Sequence, residues 1–111
     1  MTPGTAPDDV VLVYTTAGTL VEAEAIGSLL VEDGHAACVN ILPQMRSIYR
    51  WKGAVERADE AVMIVKTTRA RLDAARAAFR AAHSYETPAF LVIEVPGGDA
   101  DYLAWLRGEL A

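Results

Sequence analysis

The sequence predicts a single α+β domain with elements in the order β-α-β-β-α-β and one further helix at the C-terminal end. Three observations support this prediction. Runs of β-branched and aromatic residues alternate with segments whose apolar residues recur at helical spacing. A Lys-Gly pair stands between two of these runs, as in a tight hairpin. The length of 111 residues suits one domain with a real core and excludes a second.

The first strand is predicted over residues 10–16 (VVLVYTT), where little polar alternation is typical of a strand covered on both faces. A helix should follow, because Thr19 and Glu22 stand at the spacing of a capping box. Apolar residues then recur at helical spacing, and Gly34 is suited to end the helix.

Residues 36–51 predict one long strand that bends at Pro43, since proline cannot donate to a strand ladder and fits a bulge or an edge. Lys52 and Gly53 predict a tight turn, after which residues 54–67 run back. The result is a long hairpin whose tip is more polar than its base.

A second helix should start at Thr68, which can cap it. Its apolar face is predicted to consist of Leu72, Ala75, Phe79 and Ala82.

Pro88 stops any continuation of that helix, and residues 89–95 predict the last strand. A final helix is expected over residues 99–110. Its predicted apolar side consists of Tyr102, Trp105 and Leu106. This order matches the split-βαβ, ferredoxin-like motif, an antiparallel sheet covered by helices. Because that fold has many unrelated functions, it does not by itself indicate one.

The charge balance excludes several classes of partner. Fifteen acidic and ten basic side chains give a formal net charge of -5, whereas a nucleic-acid binder needs a cationic surface. The same balance makes an anionic membrane surface an improbable partner, and no apolar run approaches the roughly 20 residues of a membrane helix.

Residues 1–9 are predicted to be a disordered tail, and residues 10–111 the single domain. The tail has neither the basic nor the apolar region of a signal peptide. Cys38 is the one cysteine, which suits a reducing compartment, so we expect a cytoplasmic protein. We also expect Cys38 to be buried, since it lies among small apolar residues. His35, after the helix-ending glycine, is expected in solvent.

The most unusual polar cluster is the loop that follows the second helix. His83, Tyr85 and Glu86 place an imidazole, a phenol and a carboxylate within four positions, which suits a metal or a polar ligand. The alternative is structural, with His83 helping to cap the helix and Tyr85 packing its ring. Lys66, at the end of an apolar strand, could anchor an anion beside this loop or simply extend into solvent.

A second cluster lies at the hairpin tip, in the run Tyr49-Arg50-Trp51-Lys52-Gly53. Aromatic rings among cations can stack on bases, but the acidic balance and the absence of an RNP sequence argue against RNA. Large rings on a projecting hairpin are typical of a subunit interface, which is the interpretation we prefer.

Taken together, these segments resemble the CutA divalent-cation tolerance proteins over nearly the whole chain, from about Val10 to the last helix. The resemblance depends on the runs AACVNILP (36–43), SIYRWKG (47–53), IVKT (64–67), HSYETP (83–88) and YLAWL (102–106), in the order and at the spacing of that family.

The resemblance implies a tight homotrimer similar in architecture to PII-type signalling proteins, with small ions or ligands bound in clefts between subunits. The cleft residues it suggests are Lys66, Tyr85, Glu86 and Trp51, with His83 as the candidate metal ligand. Some members have a proposed copper site that uses a Cys at the end of the first strand and two adjacent His. Here Thr15 and Ala82 replace the Cys and the first His, so we expect a divalent metal such as copper to bind weakly if at all.

Two further functions stay open beside a non-enzymatic metal-response protein. One is an enzyme that uses the same cleft, although no nucleophile or cofactor motif is recognisable. The other is a trimeric scaffold for a protein partner, which would leave the cleft empty.

Overall fold

The structure, a computed structural model, describes residues 6–111. It contains one four-stranded antiparallel sheet in the order β2-β3-β1-β4 and three α-helices. The strands are β1 (Val10–Ala17), β2 (Cys38–Trp51), β3 (Ala54–Thr68) and β4 (Leu91–Glu94); the helices are α1 (Leu20–Glu32), α2 (Leu72–Ala82) and α3 (Ala100–Glu109). The α+β class and the predicted order of elements are confirmed.

One face of the sheet is covered by α1 and α2, and the main core lies between this face and the two helices. Alternate residues of the two central strands point into it, including Val13 of β1 with Met63 and Val65 of β3, all at most 1% exposed. Ile26 of α1 and Phe79 of α2 meet them from the helix side. At the two central strands this face is therefore covered within one chain.

The start of α1 follows its predicted cap, with one difference. The Thr19 side chain accepts a hydrogen bond from the Glu22 amide at 3.1 Å, and Gly34 after the helix adopts a φ of 74°. The Glu22 carboxylate accepts from the Gly18 amide instead of returning to Thr19. Its second carboxylate oxygen accepts from the Ser84 amide, in the loop after α2.

The long hairpin is also confirmed, including its bend. β2 pairs with β3 along its whole length, and the register shifts between Leu42 and Met45, on either side of the proline. Lys52 and Gly53 both adopt positive φ values, 49° and 84°, which matches the right-handed strand twist in a two-residue turn. Residues 54–60 pair with β2 but not with β1, so this half of the hairpin extends past the rest of the sheet.

The predicted cap and face of α2 are partly wrong. Thr68 makes no side-chain capping bond, because a 3₁₀ turn (Arg69–Arg71) intervenes before the helix. Ala75 and Phe79 are buried as predicted, but Ala82 is exposed, because the chain leaves the helix there.

The other sheet face is only partly covered, by α3 at one end. Leu106 and Leu110 pack there against Val10 of β1. The predicted apolar side of α3 holds for Leu106, which packs on the sheet, but not for Tyr102 and Trp105, which are 43% and 45% exposed. Tyr102 meets the sheet through its phenol, which accepts a hydrogen bond from Lys66. The rest of this surface, which we call the open face, leaves large side chains in solvent: Leu42, Leu91 and Ile93 are 55%, 59% and 47% exposed.

Three expectations at the margins of the fold need adjustment. Of the tail predicted over residues 1–9, residues 1–5 lie outside the described residues. Residues 6–9 form a hydrogen-bonded turn that also accepts hydrogen bonds from the amides of Arg69 and Ala70, so disorder does not extend to them.

Cys38 is half-buried in the single chain, not fully buried, because its side of β2 lies on the open face. His35 is half-buried as well, not in free solvent.

Candidate ligand cleft at the base of the hairpin

A cleft of about 360 Å³ lies where the hairpin, the end of β1 and the loop after α2 meet. Aromatic and acidic side chains dominate its walls. The lining residues are Thr16, Tyr49, Trp51, Glu60, Tyr85, Glu86, Thr87 and Ala89. Trp51, Tyr85 and Glu86, three of the residues suggested for a cleft, thus lie along one cavity.

Glu60 is the polar centre of the cleft. One of its carboxylate oxygens, Oε2, accepts hydrogen bonds from the Thr16 hydroxyl at 3.0 Å and from the Tyr85 phenol at 2.9 Å. Burial and the contact with Glu60 raise the pKa of Tyr85, so its phenol stays a neutral donor. These bonds connect β1, β3 and the loop.

His83 lies behind the cleft wall and is buried. Its Nε2 is 2.7 Å from the Thr16 carbonyl oxygen, which can only accept, so Nε2 carries the proton and donates it. Its Nδ1 accepts from the Tyr85 amide at 3.0 Å. The ring also packs against Phe79, with centroids 5.0 Å apart. Both ring nitrogens are therefore engaged, and the hypothesis of His83 as a metal ligand is not supported, because coordination would break a buried hydrogen bond.

Glu22 of α1 fixes the start of the loop. Its carboxylate accepts the Ser84 amide at 2.8 Å and the Gly18 amide at 3.2 Å. Partial burial works to raise the pKa of Glu22, but the hydrogen bonds from Ser84 and Gly18 outweigh it, and the pKa is lowered. The loop is held in place by charge-assisted bonds from a rigid helix.

The outer walls are aromatic and open to solvent. Tyr49, Trp51 and Tyr85 are 43%, 42% and 36% exposed. The ammonium of Lys52 lies 5.6 Å from the centre of the Trp51 ring, a cation–π contact. Glu86 is exposed at the rim, with its backbone carbonyl accepting from Arg80 at 3.3 Å.

Lys66 does not belong to this cleft, and the expectation that it lies beside the His83 loop was wrong. Lys66 pairs with Leu12, whereas the loop binds Thr16, four residues or about 13 Å further along the strand. Its ammonium donates to the Tyr102 phenol at 3.0 Å, which raises the pKa of Lys66. The sequence indicated that Lys66 ends a strand, but only the pairing register shows that this end lies away from the His83 loop.

The residues do not fit a transition-metal centre. Between residues 6 and 111, no group of three or more His, Cys, Asp or Glu side chains is close enough to hold a metal ion. Thr15 is fully buried on the helix-covered face, and Ala82 is exposed. In the same part of the chain, no helix is long and apolar enough to cross a membrane.

Sequence reasoning missed Thr16 and Glu60. Glu60 directly precedes the apolar stretch of β3, and strand alternation puts it on the face opposite the helices. That alternation was the signal that could have identified Glu60. The partner of Glu60, Tyr85, comes from a loop 25 residues away, which no local pattern indicates.

Comparison with known proteins assigns the chain to a family. The family model described as CutA1 divalent ion tolerance protein matches residues 11–109. The divalent-cation tolerance protein CutA of Pectobacterium atrosepticum is 38% identical over 102 residues, 92% of this chain and 93% of the relative.

Solved structures agree with that match. The crystal structure of CutA from Xylella fastidiosa superposes with a TM-score of 0.90 at 36% identity, covering 93% of this chain and 99% of that one. A structure from Archaeoglobus fulgidus, described as a periplasmic divalent cation tolerance protein, gives a TM-score of 0.89 at 37% identity, covering 92% and 99%.

Proposed function

The chain belongs to the CutA1 divalent ion tolerance family, and on this premise we propose that it is a homotrimeric, non-enzymatic response protein of PII-like architecture. Its clefts, formed with neighbouring subunits, bind a small ion or molecule. The observation that carries the proposal is the position of the cleft, at the base of a projecting hairpin and beside a sheet face that the chain leaves uncovered.

The open face supports assembly. Leu42 on one edge strand and Leu91 and Ile93 on the other present apolar surface that α3 does not reach, and exposed apolar surface on small proteins can mark interaction sites. A closed ring of identical subunits would cover such a patch on each copy. The projecting hairpin offers a second surface for the same purpose.

The architecture of the cleft supports binding. Glu22 and Glu60 fix the loop and the cleft floor through hydrogen bonds, so the walls are largely formed before a ligand arrives. The names of the Pectobacterium atrosepticum and Archaeoglobus fulgidus relatives describe tolerance to divalent cations and no reaction, which favours binding over catalysis. The cytoplasmic location predicted from the sequence stays a prediction, since the Archaeoglobus fulgidus relative is described as periplasmic.

A thermal-shift screen of small metal ions, amines, carboxylates and nucleotides tests cleft binding. A ligand that binds the native state at a hundred times its Kd adds about 2.7 kcal/mol of stability and raises the midpoint. Ala89→Trp places an indole in the cleft and should abolish the shift. Ala81→Trp, on the exposed surface of α2, is the matched control and should keep it. If no compound shifts the midpoint, the scaffold alternative replaces this function.

A further inference from the structure

The charge and the aromatic content of the cleft indicate the class of its ligand. Two of its eight lining residues are carboxylates, Glu60 and Glu86, and three are aromatic, Tyr49, Trp51 and Tyr85. Among these described lining residues there is no Lys, Arg or His. Within this lining an anionic ligand would meet two carboxylates and no cationic side chain, so the lining disfavours it; Lys52 lies outside the lining, over the Trp51 ring.

We propose that the cleft is selective for a small organic cation, an amine or a quaternary ammonium. This inference rests on the function proposed above and specifies its ligand. Aromatic faces attract ammonium groups through the ring quadrupole, and such walls around a carboxylate are a recurring way to hold alkylated ammonium groups. The lysine of the hairpin turn, Lys52, already holds its ammonium over the face of Trp51.

The hydrogen bonds of Glu60 strengthen this assignment. Its Oε2 atom accepts hydrogen bonds from two hydroxyl donors, Thr16 and Tyr85, which fix the direction of the carboxylate. The negative charge at the cleft floor is therefore preorganised and needs no rearrangement to meet a cation.

A bare metal ion fits the same cleft less well. Aromatic rings supply no ligand atoms for it, and the described residues bring no three His, Cys, Asp or Glu side chains together. A cavity of about 360 Å³ is also far larger than an ion and within the usual range for small-molecule sites.

Three compounds test the proposal: choline, its neutral isostere 3,3-dimethylbutan-1-ol, and the anion 3,3-dimethylbutanoate, in which a carboxylate replaces the hydroxymethyl group of the alcohol. The readout is the fluorescence of Trp51 in full-length Trp105→Phe, since Trp51 and Trp105 are the two tryptophans of the chain. Ionic strength is held constant with sodium chloride. We expect choline to bind at least about tenfold more tightly than the alcohol, and the anion to bind most weakly.

Two variants separate the cleft charge from the general negative charge of the protein. Glu60→Gln keeps the shape and an acceptor oxygen, and should weaken choline about tenfold while leaving the alcohol unchanged. Glu24→Gln, on the exposed face of α1, removes the same charge elsewhere and should change neither. Magnesium chloride at the same ionic strength should not displace choline.

The outcomes distinguish this inference from the proposed function. Equal binding of choline and the alcohol, preference for the anion, or displacement of choline by magnesium would overturn cation selectivity while leaving a binding cleft. If none of the three compounds changes the Trp51 emission, the organic-cation assignment is also wrong. The thermal-shift screen then decides the broader function. A compound whose shift is lost in Ala89→Trp would support the cleft as a binding site, and a screen without any shift would rule out ligand binding as the function.

Discussion

The two faces of the sheet are built from the same strands but end in different states. On the face covered by α1 and α2, Val13, Met63 and Phe79 are fully buried by the chain's own helices. On the open face, Leu42, Leu91 and Ile93 stay about half exposed or more, and the cleft opens beside the hairpin. The covered face thus accounts for folding, and the open face is where we propose assembly and binding. We therefore expect substitutions on the covered face to lower the free energy of unfolding, and substitutions on the open face to weaken assembly or ligand binding.

The largest effect is expected on the covered face, from Phe79→Ala. Phe79 is fully buried against His83 and Phe90, so its loss should leave a cavity and lower the free energy of unfolding by about 4 kcal/mol. Guanidinium denaturation at fixed protein concentration measures it. Phe79→Leu, which retains much of the volume, should cost about 1 kcal/mol and keeps the test usable if the alanine variant does not fold. A loss below about 1 kcal/mol for the alanine variant would show that the covered face does not dominate stability.

On the open face, Ile93→Glu should break assembly without unfolding the subunit. A charge buried in the contact would weaken association by about 2 kcal/mol or more per contact, seen by light scattering at micromolar protein. Val21→Glu is the control, since Val21 is 79% exposed but lies on α1, on the other side of the molecule. Equal assembly of both variants would mean that the open face is not the interface.

A smaller effect is expected behind the cleft, from Glu22→Gln. It removes the charge from two hydrogen bonds to backbone amides and should cost about 1 kcal/mol near neutral pH. Glu24→Gln, its exposed neighbour on α1, should cost nothing measurable.

The pH dependence of the Glu22→Gln effect follows from the lowered pKa of Glu22. A carboxyl whose pKa is lower in the folded state stabilises the fold above its unfolded pKa, about 4.3, and loses that contribution as pH falls through the folded value. The stability difference between wild type and Glu22→Gln should therefore shrink in acid. A difference that is unchanged down to about pH 2 would show that the charge of Glu22 plays no part.

The smallest effect is expected from Arg46→Ala on the hairpin. Its ion pair with Asp59, at 3.1 Å, joins side chains that are 59% and 62% exposed, so water screens it. Removing it should change the unfolding free energy by less than about 0.5 kcal/mol. If Arg46→Ala lowers the unfolding free energy by more than this in the assembled wild-type background, but not in the Ile93→Glu background, the ion pair lies in a subunit contact.

The same division explains how far the sequence could predict the molecule. The order of strands and helices, the turn at Lys52-Gly53 and the bend at Pro43 depend on local spacing and backbone chemistry, and these were predicted correctly. The cap of α2 was not, because a 3₁₀ turn precedes that helix. The site depends on register and on long-range contacts. Lys66 was assigned to the wrong end of the sheet, and Glu60 was missed because its partners Thr16 and Tyr85 are 44 and 25 residues away. For His83 the sequence left a ligand role and a structural role open, and the contacts of its two ring nitrogens support the structural one.

Sedimentation equilibrium of the wild-type protein, over nanomolar to micromolar concentration, tests the central claim that the open face is completed by other copies of the chain. We expect a single species of three times 11.9 kDa at micromolar protein. A monomer of 11.9 kDa throughout that range would contradict it, because the exposed apolar surface would then be stable in solvent and the cleft would belong to one chain alone.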